Sequence, residues 1–436
     1  MISKLEFKRR RNRLMGMMAP DSIAIFTAAS EKKRNGDTLY PFRQDSDFFY
    51  LTCFPEPEAV AVLLPERKHG QFVLFCREKD AAREIWDGYR AGPEGACNDY
   101  DADDAFPIDD IDDILPGLLE GKDRVYYAMG KSADFDNQLM SWVNGIRSKA
   151  RSGATPPGEF VDSDHLVHEL RLFKSPGELK VMRKAAEISA TAHRTAMQLC
   201  KPGLFEYQLQ AEIEHRFALA GGRHPAYTSI VGGGENGCIL HYIENSQRLR
   251  DGDLVLIDAG CELQHYASDI TRTFPVNGKF SGEQRAIYEI VLEAQLATID
   301  TCRAGNHWND PHETSVRIIT QGLVDLKLLK GDVSNLIEKG AYTDFYMHRA
   351  GHWLGMDVHD VGDYKVESEW RLLEPNMVMT VEPGIYISPN NTKVAKKWRG
   401  IGVRIEDDVV ITDAEPEVLS AAAPKQCDAI EALMAG

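Results

Sequence analysis

The sequence predicts an α/β (α+β) protein of two domains, and three observations carry that reading. At 436 residues the chain is long enough for two domains of ordinary size, each with its own core. Short apolar runs rich in β-branched residues alternate with segments of helical spacing along its length. The stretch Arg151 to Gly158, RSGATPPG, is the most linker-like in the chain, and a strong helix start comes after it at Ser175. The expected division is 1–170 and 171–436.

Taken in order, the first domain reads as mixed α/β. Strand-like residues occupy Ser22–Phe26, Phe48–Phe54, Ala59–Leu64, Phe72–Cys76 and Val125–Ala128. The basic run Lys8, Arg9, Arg10, Arg11, Arg13 reads as the solvated face of a first helix rather than a transit peptide, because Glu6 precedes it and serines are scarce. Aromatic residues at Tyr40, Phe42, Phe48, Phe49 and Tyr50, with Trp86 and Tyr89 further on, read mostly as core. The acidic run from Asp99 to Asp113 lacks the glycine and closing glutamate of a calcium loop, so it reads as a solvated segment feeding a helix N-terminus.

The second domain opens with Ser175 as N-cap, Pro176 at the first helical position and Glu178 closing a capping box. Leu179, Met182, Ala186 and Ser189 then repeat on one face. Gly232, Gly234 and Gly237 in IVGGGENGCILHY have the spacing of a dinucleotide loop, but a strand-like run, Cys238–Tyr242, stands where that site needs a helix. These glycines are read instead as a tight turn that presents His241 into a cleft.

The stretch Leu254–Phe274, LVLIDAGCELQHYASDITRTF, is the centre of this domain. Leu254 to Ile257 form a short apolar strand ending on Asp258, and eleven residues later Asp269 opens a returning strand, Ile270–Thr273. Two acids facing each other across neighbouring strands repel unless a proton or a cation lies between them. Taken alone, they read equally well as turn acids bonding their own backbone. Three further segments add chemistry. YMHRAGHWLGMDVHDV places His348, His352 and His359 within twelve residues, and Gly351 and Gly355 argue for a loop and strand edge rather than a helix. MVMTVEPGIY puts Glu382 at a strand end stopped by Pro383. GIGVRIEDDVV sets Arg404 and Glu406 on one face. His165, His168 and His224 read as structural.

Composition excludes several classes. Hydrophobic residues are 43% and charged residues 27%, as in a soluble globular protein, and the net charge of −17 opposes a nucleic-acid partner. No window is apolar enough for a membrane span or a secretory signal. Eight cysteines without a C-x-x-C pair read as reduced thiols, and the expected location is cytoplasmic.

Together these segments resemble the creatinase/prolidase/methionine aminopeptidase metallopeptidases, nearest to the aminopeptidase P branch. The likeness covers essentially the whole chain, including RQDSDFFYLTCFPEPE and FKSPGEL. It implies a pita-bread catalytic domain behind an N-terminal α/β domain that serves in oligomerisation and caps the cleft. It also implies Asp258, Asp269, His352, Glu382 and Glu406 as ligands of two divalent ions, most often Mn²⁺, with Zn²⁺ or Co²⁺ able to substitute. The ions would lie about 3.5 to 4 Å apart and share a hydroxide that attacks the bond before proline. Glu382 would steer its proton and His359 would stabilise the oxyanion. His241 and His348 would line the proline pocket and help protonate the proline nitrogen, and Arg404 would hold the carboxylates or the downstream peptide. The implied partners are peptides beginning Xaa-Pro and a second copy of the chain, as homodimer or homotetramer, with Trp86 a candidate to reach a neighbour's cleft. The alternatives are a prolidase restricted to Xaa-Pro dipeptides and, from another class, a catalytically inactive pita-bread binding module. Creatinase is disfavoured because it lacks the metal carboxylates.

Overall fold

In the computed structural model, which describes residues 2–436, the chain divides into two units, 2–171 and 172–436. In the first, six short strands form one mixed sheet in the order Asp104–Pro107, Phe72–Cys76, Val60–Leu63, Ser22–Thr27, Arg124–Tyr126, Glu159–Val161. Ile23, Ile25, Val62, Val73 and Val125 of this sheet pack against Leu115, Leu119, Leu139 and Val143 of two helices. RSGATPPG belongs to this unit, since Thr155 and Gly158 bond the backbone of Gly121 and Asp123 and lead into the edge strand. The division falls at the end of the helix Asp164–Leu172.

Three expectations for this unit need correction. Phe48–Phe54 is not a strand: Ser46–Thr52 is a helix, started by the Asp45 carboxylate on the Phe48 N–H at 2.9 Å and ended by Cys53 in the left-handed region. A local cap outweighs the strand preference of the aromatics here. The basic run is not wholly solvated either. Arg10 and Arg11 are buried and donate to the Tyr50 and Leu51 carbonyls at 3.1 and 2.9 Å, satisfying the C-terminal end of that helix while lying over the Tyr50 and Phe72 rings. Tyr40, Trp86 and Tyr89 are exposed rather than core; no residue of the helix Ala81–Asp87 is buried.

The second unit begins with the helix Pro176–Leu199, whose capping box is formed in both directions between Ser175 and Glu178. It packs on the helix Glu206–Leu219. Ile230–Gly233, Leu254–Asp258 and Thr271–Pro275 form an antiparallel sheet in which Asp258 pairs with Thr271. A second antiparallel group holds Val378–Val381 against Asp407–Val410, and a third pairs Gly384–Tyr386 with Gly402–Arg404. The helices Gly282–Thr301 and Asp310–Asp325 complete the core. Between Asp258 and Asp269 the chain doubles back so tightly that a Cβ on Gly260 would stand 1.7 Å from the Ser268 carbonyl oxygen, so only glycine fits.

Cys238–Tyr242 forms no strand. Gly234–Cys238 is a 3₁₀ turn, and the buried Glu206 carboxylate accepts from Gly233 N, Asn236 Nδ2, Tyr242 Oη and Gln247 N, so a side chain replaces the ladder. No helix among the described residues is long and apolar enough to cross a membrane.

Candidate metal centre and active site

The strand ends of these sheets converge on one cavity of about 740 Å³ in the second unit. All nine residues singled out from the sequence line it: Asp258, Asp269, His352, Glu382 and Glu406, together with His241, His348, His359 and Arg404. Asp258 closes its strand, and Asp269 lies two residues before the next. Glu382 comes directly after Val378–Val381, and Glu406 sits in the break between Gly402–Arg404 and Asp407–Val410. His348, His352 and His359 come from irregular chain between 346 and 364, tied to Val378–Val381 through the Trp353–Met379 bridge and the Thr380 N–H to His352 carbonyl bond, and His241 comes from the chain after the 3₁₀ turn Gly234–Cys238. A Cβ on Gly351 would stand 2.0 Å from the Thr380 carbonyl oxygen, which explains glycine beside this histidine.

Atoms of Asp269, His352 and Glu406 that can ligate a cation all lie within 4.8 Å of one another. The His352 Nδ1 faces the Trp353 carbonyl at 2.9 Å; a carbonyl only accepts, so Nδ1 carries the proton. The other nitrogen, Nε2, then points at Asp269 Oδ2, 3.4 Å away, and Glu382 Oε1, 3.8 Å away. Burial by itself would lower the His352 pKa, but Asp269 and Glu382 lift it to about 9. Burial pushes Glu382 up to about 7, and burial with the neighbouring acids pushes Glu406 well above the carboxylate range. Asp258 is raised by burial too, against the pull of Arg404, whereas His352 holds Asp269 low despite burial. Arg404 is the one guanidinium answering four carboxylates in this cluster, and it lies 2.5 Å from Asp258.

Several residues of this network were not singled out from the sequence. The Tyr227 hydroxyl stands 2.5 Å from Asp258 and 2.6 Å from Asp269, one proton shared by two acids. Thr271 donates to Glu406 at 2.6 Å and accepts from Arg404 Nε at 3.0 Å. Arg404 Nη1 donates to the Tyr386 hydroxyl, which lies 2.9 Å from His348 Nε2, while His348 Nδ1 bonds the Arg349 carbonyl. Asp408 accepts from the Asp269 N–H. Tyr386 and Thr271 lie inside segments of interest in the sequence, four and two residues from marked positions. Tyr227, in an unpatterned AYTS, carries no such signal.

Residues 180–413 match metallopeptidase family M24, and residues 7–126 match the aminopeptidase P N-terminal domain. The chain is 50% identical over 434 residues, 99% of its length and 98% of the other, to the Xaa-Pro aminopeptidase of Escherichia coli (strain K12). The structure of Pseudomonas aeruginosa aminopeptidase PepP superposes with a TM-score of 0.99 at 65% identity, covering 100% of this chain and 98% of that one. Zn-substituted E. coli aminopeptidase P in complex with product gives 0.97 at 50% identity, covering 100% and 98%. The chain therefore belongs to metallopeptidase family M24. It is a metallo-aminopeptidase of the Xaa-Pro aminopeptidase kind, with a pita-bread catalytic domain and a metal-binding site.

The residues present fit a metal. Four carboxylates crowd one another with a single fixed cation nearby, and the imidazole facing them has its far nitrogen pinned by a carbonyl, the arrangement that aims a ring lone pair at a cation.

Proposed function

We propose that Asp258, Asp269, His352, Glu382 and Glu406 hold two divalent ions, natively Mn²⁺ with Zn²⁺ or Co²⁺ able to substitute, and that the enzyme releases the first residue from peptides with proline second, including those longer than dipeptides. The observation that carries this is the meeting of four under-compensated carboxylates and one oriented imidazole in a single peptide-sized cavity. When bound, the ions supply a hydroxide nucleophile at neutral pH and polarise the scissile carbonyl.

The chain's own residues do the rest. Glu382, at 18% side-chain exposure more open than Asp258 or Asp269, takes the proton of the attacking water. His359, whose ring centre is 4.3 Å from that of His352, lines the cavity beside the reacting carbonyl and donates to the oxyanion. His241, which also lines the cavity, contacts proline and returns a proton to its nitrogen. The same part does not suit His348. Burial lowers its pKa to about 3, its Nδ1–H is committed to the Arg349 carbonyl, and its Nε2 accepts from Tyr386, so it has no proton to give and instead orients Tyr386. Of the two parts open to Arg404, holding the carboxylates fits: the side chain is buried and its donors are engaged by Asp258, Thr271 and Tyr386.

Eight unpaired cysteines fit a cytoplasmic location, and exposed Ile85, Trp86 and Tyr89 fit self-association as a homodimer or homotetramer. Side-by-side hydrolysis of a free Xaa-Pro dipeptide and an Xaa-Pro-Xaa tripeptide with Mn²⁺ tests the activity. Faster release from the tripeptide is expected; cleavage of the dipeptide alone would make the enzyme a prolidase, and cleavage of neither would remove the proposal.

A further inference from the structure

The outer wall of the cavity takes no part in the steps above, and its chemistry differs from that of the floor. Trp308, Arg349, Tyr364, Lys365 and Trp370 line it. Trp370 is held on a short hairpin in which it pairs directly with Lys365, and its carbonyl bonds His307 Nδ1 at 2.8 Å. Over its ring lie the Lys365 ammonium at 4.4 Å and the Arg349 guanidinium at 5.1 Å. Neither cation ion-pairs with an acid among the described residues. Arg349 donates to Asn309 Oδ1, whose amide bonds Glu313; that acid also attracts the guanidinium through space but lies beyond ion-pair distance, and Asp363, Glu367 and Glu369 stand outside ion-pair distance of Lys365. Arg404, the other lining cation, is committed to Asp258.

The cavity thus has an acidic floor and a cationic, aromatic rim. A peptide entering N-terminus first brings its ammonium toward the acids, while any carboxylate it carries is repelled by them and drawn outward. In a dipeptide that carboxylate sits on proline itself, over the floor. Each further residue carries it about 3.5 Å outward. We infer that Arg349 and Lys365 form a subsite for a carboxylate borne by the substrate beyond proline, either its C-terminus or an acidic side chain. This rests on the Xaa-Pro aminopeptidase reading.

The test compares kcat/KM for Xaa-Pro-Ala-Ala as free acid and as C-terminal amide, and for amidated Xaa-Pro-Ala-Glu against Xaa-Pro-Ala-Gln, in the native enzyme and in Lys365→Met and Arg349→Met. The native enzyme should favour the charged member of at least one pair by about two- to fivefold, as for an exposed charge pair, through KM and less at high salt. The acid–amide pair responding identifies the C-terminus as the source; the Glu–Gln pair responding identifies a side chain. Lys365→Met, at an exposed position, should fold normally and bring the ratio close to one. Equal rates for charged and neutral partners in the native enzyme, or a ratio unchanged in both variants, overturns the subsite. Failure to cleave any of the four peptides would instead overturn the reading beneath it.

Discussion

Each unit buries acids beside a histidine, and the two clusters differ in how their charge is answered. In the first unit Asp47 meets Arg171 at 2.7 Å, Lys131 at 2.9 Å and His168 at 3.5 Å, with Asp164 3.2 Å from the same lysine. Burial would raise the Asp47 pKa, but His168, Arg171 and Lys131 hold it far below the usual range. In the second unit Asp258, Asp269, Glu382 and Glu406 share Arg404, and three of the four are pushed upward. Both groups have the residue types and proximity of a cation site. What separates them is surplus charge: the first cluster is complete as it stands and braces its unit, whereas the second is stable as anions only with added positive charge.

The widest separation should come from removing one acid of each. Glu406→Ala should abolish most metal binding and lower kcat/KM about a thousandfold or more, because the ions supply several kcal/mol of transition-state stabilisation. Asp47→Ala should leave metal content intact yet destabilise by about 3–5 kcal/mol, having removed the carboxylate that Arg171 and Lys131 share. Metal analysis of purified protein and urea denaturation read the two. Metal lost from Asp47→Ala, or full occupancy in Glu406→Ala, breaks the distinction.

Acidity sharpens it further, because the two clusters carry opposite signs. Asp47, with its pKa depressed, stabilises the fold above about pH 4, and that contribution is lost as pH falls below it. In chelator-treated protein, Glu382 at about 7 and His352 at about 9 both bind protons more tightly folded than unfolded. Their contribution is present at pH 5 and drains away as pH rises toward 9. Metal replaces those protons, so the loaded enzyme should lack the alkaline loss and bind metal more tightly as pH rises. Melting curves from pH 3 to 9, with and without chelator, check both limbs. A chelated protein as stable at pH 9 as at pH 5 contradicts the crowding of the second cluster.

The second cluster was legible in the sequence and the first was not, for a physical reason. Asp258, Glu382 and Glu406 each stand where an apolar strand stops, so the run of residues before them reports their position. Asp47 lies within a helix whose aromatic residues imitate a strand, and its partners come from 84 and 124 residues away, a coincidence no local pattern records. The same limit hid the buried ends of Arg10 and Arg11, which look like surface charge until the helix Ser46–Thr52 supplies carbonyls for them. The glycines at 232, 234 and 237 were legible as a turn, but the Glu206 carboxylate that orders it belongs to another helix, so the run after them was misjudged as a strand.

Tyr227 is the smallest and most discriminating probe, since it had no signal in the sequence and touches two acids at once. A hydroxyl proton between Asp258 and Asp269 partly offsets their repulsion, but it cannot donate fully to both. If these acids are ligands, the hydroxyl orients them, and Tyr227→Phe should weaken metal affinity by about 10- to 100-fold, the range for a group that holds a ligand in place. If they are only structural, the same change should lower stability of the metal-free protein and leave affinity alone. Calorimetric titration with Mn²⁺, alongside melting of the chelated form, separates the two. Because phenylalanine preserves the ring's packing, a fall in affinity without a matching fall in melting temperature ties Tyr227 to the ions rather than to the fold.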